Sequence, residues 1–237
     1  MRPFLVLIFA FAMFGHAETS IGKPIDMKPI KQVNAGVLNI GYYETGPSKG
    51  TPVLLLHGWP YDIHSFEDVA PALAEKGYRV IVPFLRGYGS TSFLSDKTAR
   101  TGQQAATATD VKELMDALKI KEAIIGGFDW GSRTAAAVAA LWPERVKGVV
   151  LVSGYIIVNL EAQKNPLPPK AEQGWWYQYY FATDRGVKGY TQNTDEFNKL
   201  IWKNASPKWN FDDATYERSA SAFKNPDHVA IVIHNYR

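Results

Sequence analysis

Seven consecutive residues, Gly126-Gly127-Phe128-Asp129-Trp130-Gly131-Ser132, set one carboxylate at the centre of a run of small side chains. An apolar run leads into them and an Ala-rich helical run leads out. Small residues at Gly127, Gly131 and Ser132 permit a tight strand-to-helix turn that strains the central residue and pushes it forward, the arrangement that exposes a nucleophile. On this pattern alone Asp129 reads equally as a nucleophile or as the N-cap of the following helix. A carboxylate nucleophile attacks saturated carbon in an in-line displacement. The product is an ester whose carbonyl belongs to the protein. Water, deprotonated by a histidine, then attacks that carbonyl while an oxyanion hole holds the tetrahedral intermediate. Serine suits acyl carbon, where the substrate brings the carbonyl. Asp129 points instead to a strained ring oxygen or a carbon–halogen bond, and away from esters and amides.

Two further groups accompany it. His57-Gly58-Trp59-Pro60 follows the apolar run 53–56, and Arg86-Gly87-Tyr88-Gly89-Ser90-Thr91 follows the apolar run 78–82. Short apolar runs of this kind are strands buried on both faces. Residues 37–44 alternate as a half-buried strand, and the segment 46–50, with two Gly and one Pro, is a turn. Residues 66–76 have helical periodicity that stops at Gly77. Residues 107–118 carry Val111, Leu114, Met115 and Leu118 on one helical face. A strand at 123–126, a helix at 132–141 ending before Pro143, and a strand at 146–152 complete the alternation. Strand–helix alternation predicts an α/β fold, a mostly parallel sheet with helices on both faces. The three loops then share the C-terminal edge of the sheet, where ligands bind in open α/β folds. The pattern changes near Asn159. Pro166, Pro168 and Pro169 interrupt it, and from Trp175 the chain reads as aromatic-rich helices. The expected organisation is an α/β core at 33–158 and a helical cap at 159–237 laid over that edge. Some of Trp175, Tyr179 and Tyr180 are expected to pack against the sheet.

In this order and context, His-Gly-x-Pro, Arg-Gly-Tyr-Gly and Gly-x-Asp-Trp-Gly resemble the epoxide hydrolase branch of the α/β-hydrolase superfamily, with haloalkane and fluoroacetate dehalogenases as close relatives. The likeness runs from about Val33 to the end of the chain. It implies that the backbone N–H groups of Trp59 and Trp130 form the oxyanion hole. His57 is then either a substrate-side residue, with Pro60, or the residue that holds its loop in shape by hydrogen bonding. The resemblance also implies a pair of cap tyrosines that protonate the opening ring, at Tyr177 and Tyr236. An opening epoxide develops alkoxide charge and needs an acidic O–H, whereas a halide leaves as a stable anion. Fluoroacetate dehalogenases show a His-Trp pair where this chain has Trp176-Tyr177, which favours the epoxide reading and sets Trp176 on the substrate side. Arg133 points the other way, since those dehalogenases carry a carboxylate-binding Arg just past the nucleophile. Their second such Arg is Trp130 here. Phe84 departs from the acidic residue found in many relatives two places before the Arg, a change expected to alter the loop's anchoring and not the chemistry.

The superfamily's triad acid and catalytic histidine are expected on late strands beyond the cap. His57, His64, His228 and His234 do not fit that position, and Glu161 and Asp184 are cap residues. The chain is therefore expected to be a fragment whose sheet lacks its last strands and exposes an apolar edge. The alternatives to an epoxide hydrolase are a haloacid or haloalkane dehalogenase using the same Asp129, and a catalytically incomplete remnant or binding module. At the other end, Arg2, an apolar run at 4–14 and Gly15-His16-Ala17 read as a signal peptide over 1–17, followed by a leader at 18–32. Export to the periplasm or medium is expected, with no membrane attachment once the segment is removed. The 237 residues are 46% hydrophobic and 21% charged, enough for one sizeable core, and the net charge of +3 forms no basic stripe, so no nucleic-acid partner is implied. Cysteine is absent, so core burial alone must hold the fold. A small epoxide or halogenated molecule and water are the expected partners; the mechanism calls for no metal or organic cofactor.

Overall fold

The apolar runs pair as their pattern requires in the computed structural model, which describes residues 26–154 and 159–237. The expected signal peptide, the leader as far as residue 25, and residues 155–158 at the expected core–cap boundary lie outside the described residues. The strands are β1 (Lys31–Ala35), β2 (Leu38–Thr45), β3 (Pro52–Leu56), β4 (Arg79–Pro83), β5 (Ser92–Phe93), β6 (Ala123–Phe128) and β7 (Val146–Val152). They form one sheet in the order β1-β2-β4-β3-β6-β7, with β5 added to β2. The pairs β4–β3, β3–β6 and β6–β7 are parallel; β2 is antiparallel to its three neighbours. Helices α1 (Val69–Glu75), α2 (Gln104–Ala117) and α3 (Trp130–Leu141) pack on the sheet.

Leu54, Leu56, Val80, Ile81, Val82 and Ile125 are fully buried in the central strands. Each contributes roughly 1.5–3 kcal/mol of transfer free energy. Leu114 and Met115 of α2 and Ala135 and Val138 of α3 close the core from outside the sheet. The chain leaves α1 through Gly77 at φ 87°, the left-handed position that ends a helix without Cβ strain.

Two differences from the sequence reading have physical causes. Strand β1 begins inside the expected leader. It is an edge strand in which only Ala35 is buried, so it carries almost no apolar alternation. The helix expected from residue 66 starts instead as a tight 3₁₀ turn at Ile63–Phe66, because Asp62 accepts the His64 N–H at 3.1 Å and caps it there.

Six α-helices follow among the described residues: α4 (Pro169–Gly174), α5 (Trp176–Phe181), α6 (Asp184–Gln192), α7 (Thr194–Ala205), α8 (Asp213–Ala220) and α9 (His228–Tyr236). Thr183 and Asp212 cap α6 and α8 by accepting the N–H groups of Gly186 and Thr215. The helices bury Phe181, Tyr190, Phe197 and Trp202 among themselves and against the loop after β3. Trp202 donates its indole N–H to the Pro60 carbonyl at 2.6 Å, and Ser219 donates to Asp62 at 2.6 Å. Of the aromatics expected to pack on the sheet, Trp175 and Tyr179 are exposed, Tyr179 donating to Glu172 at the surface. Tyr180 packs among the helices instead, stacked on Phe197 of α7.

Candidate active site

Strand β6 delivers Asp129 to the turn before α3 with φ 51° and ψ −117°, a conformation costly for any residue with a Cβ. The turn closes because Gly127 and Gly131 lack side chains: a Cβ on Gly131 would overlap the Leu56 carbonyl, and one on Gly127 would overlap the Gly131 backbone. The Asp129 side chain makes no capping bond to α3, so its carboxylate is free to face forward. Trp59 N–H donates to Asp129 Oδ1 at 2.9 Å, and the Trp130 N–H, the first of α3, also favours the charged carboxylate. Both N–H groups expected to form an oxyanion hole therefore converge on this one side chain. Burial raises the Asp129 pKa above its ordinary 3.8, opposed by the two N–H groups and by the positive charge of Arg133.

The two flanking loops are held from behind. His57 is fully buried, with Nδ1 3.0 Å from the Gly58 carbonyl and Nε2 accepting the Leu85 N–H at 3.1 Å. Burial lowers its pKa to about 4, so it is a neutral brace. Pro60 is buried and its carbonyl is taken by Trp202. Neither residue is among those lining the cleft: His57 takes the second of its two expected roles, holding its loop in shape, and Pro60 shapes the same loop in place of the substrate-side role expected of it. Arg86 grips Asp110 through two nitrogens, both at 2.6 Å, and donates to the carbonyls of Thr101 and Ala106. Phe84 is buried, and its carbonyl accepts the Thr91 hydroxyl at 2.8 Å, so the loop is anchored there without an acidic side chain.

A cleft of about 1150 Å³ opens over Asp129, lined among others by Trp59, Trp176, Tyr177 and Tyr236. Tyr177 and Tyr236 meet edge to face, ring centroids 5.3 Å apart, and both rest on the Trp59 ring at 5.1 and 5.2 Å. Burial raises both hydroxyl pKa values, and the Asp129 charge adds to each. The Trp130 indole N–H donates to the Tyr236 hydroxyl at 3.1 Å. Arg133 acts on Asp129 through its charge from α3 and is not part of the cleft wall.

A family described as alpha/beta hydrolase fold matches residues 51–200, the stretch holding all three loops. The chain belongs to the α/β-hydrolase fold family. It is 35% identical over 120 residues to an epoxide hydrolase of Caballeronia sordidicola, covering 51% of this chain and 36% of that protein. Identity to a haloalkane dehalogenase of Mycobacterium marinum is 33% over 121 residues, covering 50% and 39%. The chain thus spans well under half the length of these curated relatives. A crystal structure from Klebsiella pneumoniae, provisionally assigned as an epoxide hydrolase, superposes with a TM-score of 0.85 at 62% identity, covering 88% of this chain and 69% of that one.

This α/β-hydrolase-fold chain also places groups at its cleft that the motifs did not reveal. Tyr61 lines it, as does Ser153, held at φ 51°, beside Phe128 of the turn motif. His64 lines it with Nδ1 2.8 Å from the buried Asp62 carboxylate. Asp62 and His64 stand two residues apart in the sequence, but the Ser219 hydroxyl that completes the cluster comes from α8, so no local spacing announces it.

Proposed function

We propose that this α/β hydrolase opens epoxides to diols through an ester on Asp129. The observation that carries the reading is the meeting of Tyr177 and Tyr236 above the carboxylate, with both hydroxyls inside its field. An Asp129 oxygen attacks a ring carbon and the carbon–oxygen bond opposite it breaks. The electron pair stays on the ring oxygen, which takes its proton from a tyrosine. Alkoxide is a poor leaving group, so a donor that strengthens as charge develops lowers this barrier directly. Water then adds to the ester carbonyl and the Trp59 and Trp130 N–H groups hold the oxyanion; the bond from the carbonyl carbon to the substrate oxygen breaks, one proton of the water goes to the departing diol and the other returns to the tyrosinate, so carboxylate and tyrosine both reform. His57 and His228 are buried in structural hydrogen bonds with pKa values of about 4, so neither is the base for that water. Carbon–halogen cleavage on the same Asp129 is the second reading, favoured by the Mycobacterium marinum relative and by the Arg133 charge.

Single-turnover ester formation, followed by intact mass, separates the two. With styrene oxide, Tyr177→Phe and Tyr236→Phe should each raise the barrier by about 2–4 kcal/mol, and the double variant should be nearly inert. With a haloacid the same variants should change little. Rapid reaction of the wild type with the haloacid and none with the epoxide would overturn the assignment in favour of carbon–halogen cleavage. Export belongs to the same proposal: protein recovered from its host should lack residues 1–17, and an intact Met1 on exported material would refute this.

A further inference from the structure

Trp59 is the hub of the site. Its backbone N–H holds Asp129, its ring supports Tyr177 and Tyr236, and its indole N–H points away from the cleft to donate to the Tyr190 hydroxyl at 3.0 Å. That hydroxyl lies 3.0 Å from His228 Nε2, and His228 Nδ1 lies 2.9 Å from the Gly87 carbonyl in the loop after β4. Tyr190, His228 and Asn198 are fully buried and Trp59 nearly so. The chain therefore links α6 and α9 to both loops flanking Asp129 without touching water.

Proton counting orders this chain. A carbonyl only accepts, so His228 Nδ1 carries the hydrogen that faces Gly87. Burial lowers the His228 pKa to about 4, so at neutral pH its Nε2 is bare and needs a donor. The Tyr190 O–H is the donor within reach. The Tyr190 oxygen has then spent its one proton and accepts from the Trp59 indole. Asn198 Oδ1 also lies 3.0 Å from the Tyr190 hydroxyl, while Asn198 Nδ2 is buried without a partner. Exchanging the two ends of that amide makes Nδ2 a second donor to Tyr190 and is consistent with the same order.

We propose that Tyr190 and His228 are positioning residues: the ordered chain Gly87–His228–Tyr190–Trp59 fixes the Trp59 backbone N–H on Asp129 and the Trp59 ring under the two tyrosines. The functional part of this claim rests on the epoxide-opening reading; the positional part does not. Removing one link leaves a buried donor unsatisfied and frees the indole to shift. Catalytic geometry is sensitive to such shifts, since a displacement of about 1 Å can cost on the order of 100-fold.

Tyr190→Phe keeps the ring and deletes the hydroxyl. The Asp129 carboxyl ¹³C resonance, titrated with pH, reads the Trp59 contact with no substrate present. Weakening an N–H bond that favours the carboxylate should move that titration upward by several tenths of a unit. The charged and titratable neighbours of Asp129, namely Arg133, Tyr61, Tyr88, Tyr177 and Tyr236, all remain in the variant; of these, Tyr88 also lies in the field of Tyr190. With styrene oxide, ester formation at saturation should fall about 10-fold or more while the half-saturating concentration stays within about 2-fold. His228→Asn, which keeps a donor near Gly87 but removes the Nε2 acceptor, should reproduce both effects. In the wild type, ¹⁵N shifts should show His228 neutral at pH 7 with Nδ1 protonated. A doubly protonated His228, or a folded Tyr190→Phe whose Asp129 titrates as in the wild type, would overturn the proposal. If the wild type forms no ester with the epoxide while the Asp129 titration still moves in the variant, the chain stands and the functional reading falls.

Discussion

Burial pushes the Asp129 pKa up while two backbone N–H groups and the Arg133 charge pull it down. Only the carboxylate attacks carbon, so ester formation should fall as pH drops through a value above the ordinary 3.8. Following styrene oxide incorporation from about pH 4 to pH 8 should reveal that acid limb; a rate flat down to acid unfolding would contradict the role of the carboxylate. At this scale Asp129, Trp59 and Trp130 were legible because each lies within a contiguous motif whose backbone geometry is local. For His57 the motif left two roles open, and for Pro60 it suggested the substrate side, because the orientation of both is set from outside the motif. Pro60 is held by Trp202, 142 residues later, and His57 by Leu85 on the next loop. The same holds for Tyr190 and His228, which meet only through the folding of α6 and α9.

The sheet and core helices were legible from apolar runs and periodicity because β3, β4 and β6 are buried on both faces and cannot be polar. Strands β1 and β5 were not, since each is short, marginal and largely solvent-facing. How the helices dock is likewise absent from local pattern: the join between α8 and the 3₁₀ turn depends on Asp62, which holds both His64 and Ser219. Burial pulls the His64 pKa down, but the bond and charge of Asp62, with Glu67, outweigh it and leave it raised above 6.5. A raised folded-state value means protonation favours the folded form. The contribution is complete below about pH 6.5 and is lost as pH rises through the folded value. Denaturant melts at about pH 6 and pH 8 should show the wild type losing stability relative to His64→Gln. Equal pH dependence in the two would remove His64 from the join.

Across the whole molecule, the loops after β3, β4 and β6 converge beneath the helices of 169–237, which supply Tyr177 and Tyr236 and shape the cleft. At the far margin of the sheet, β7 pairs among the described residues with β6 alone and leaves Val149, Val150, Leu151 and Val152 exposed. Everything proposed for this member of the α/β-hydrolase fold family depends on Asp129 forming the covalent bond. The most direct measurement is proteolytic mapping by mass spectrometry after a stoichiometric pulse of styrene oxide. One adduct equal to the mass of the epoxide should sit on Asp129 and be missing from Asp129→Asn. An adduct on Ser132 or Ser153, or one that survives in Asp129→Asn, would contradict the account.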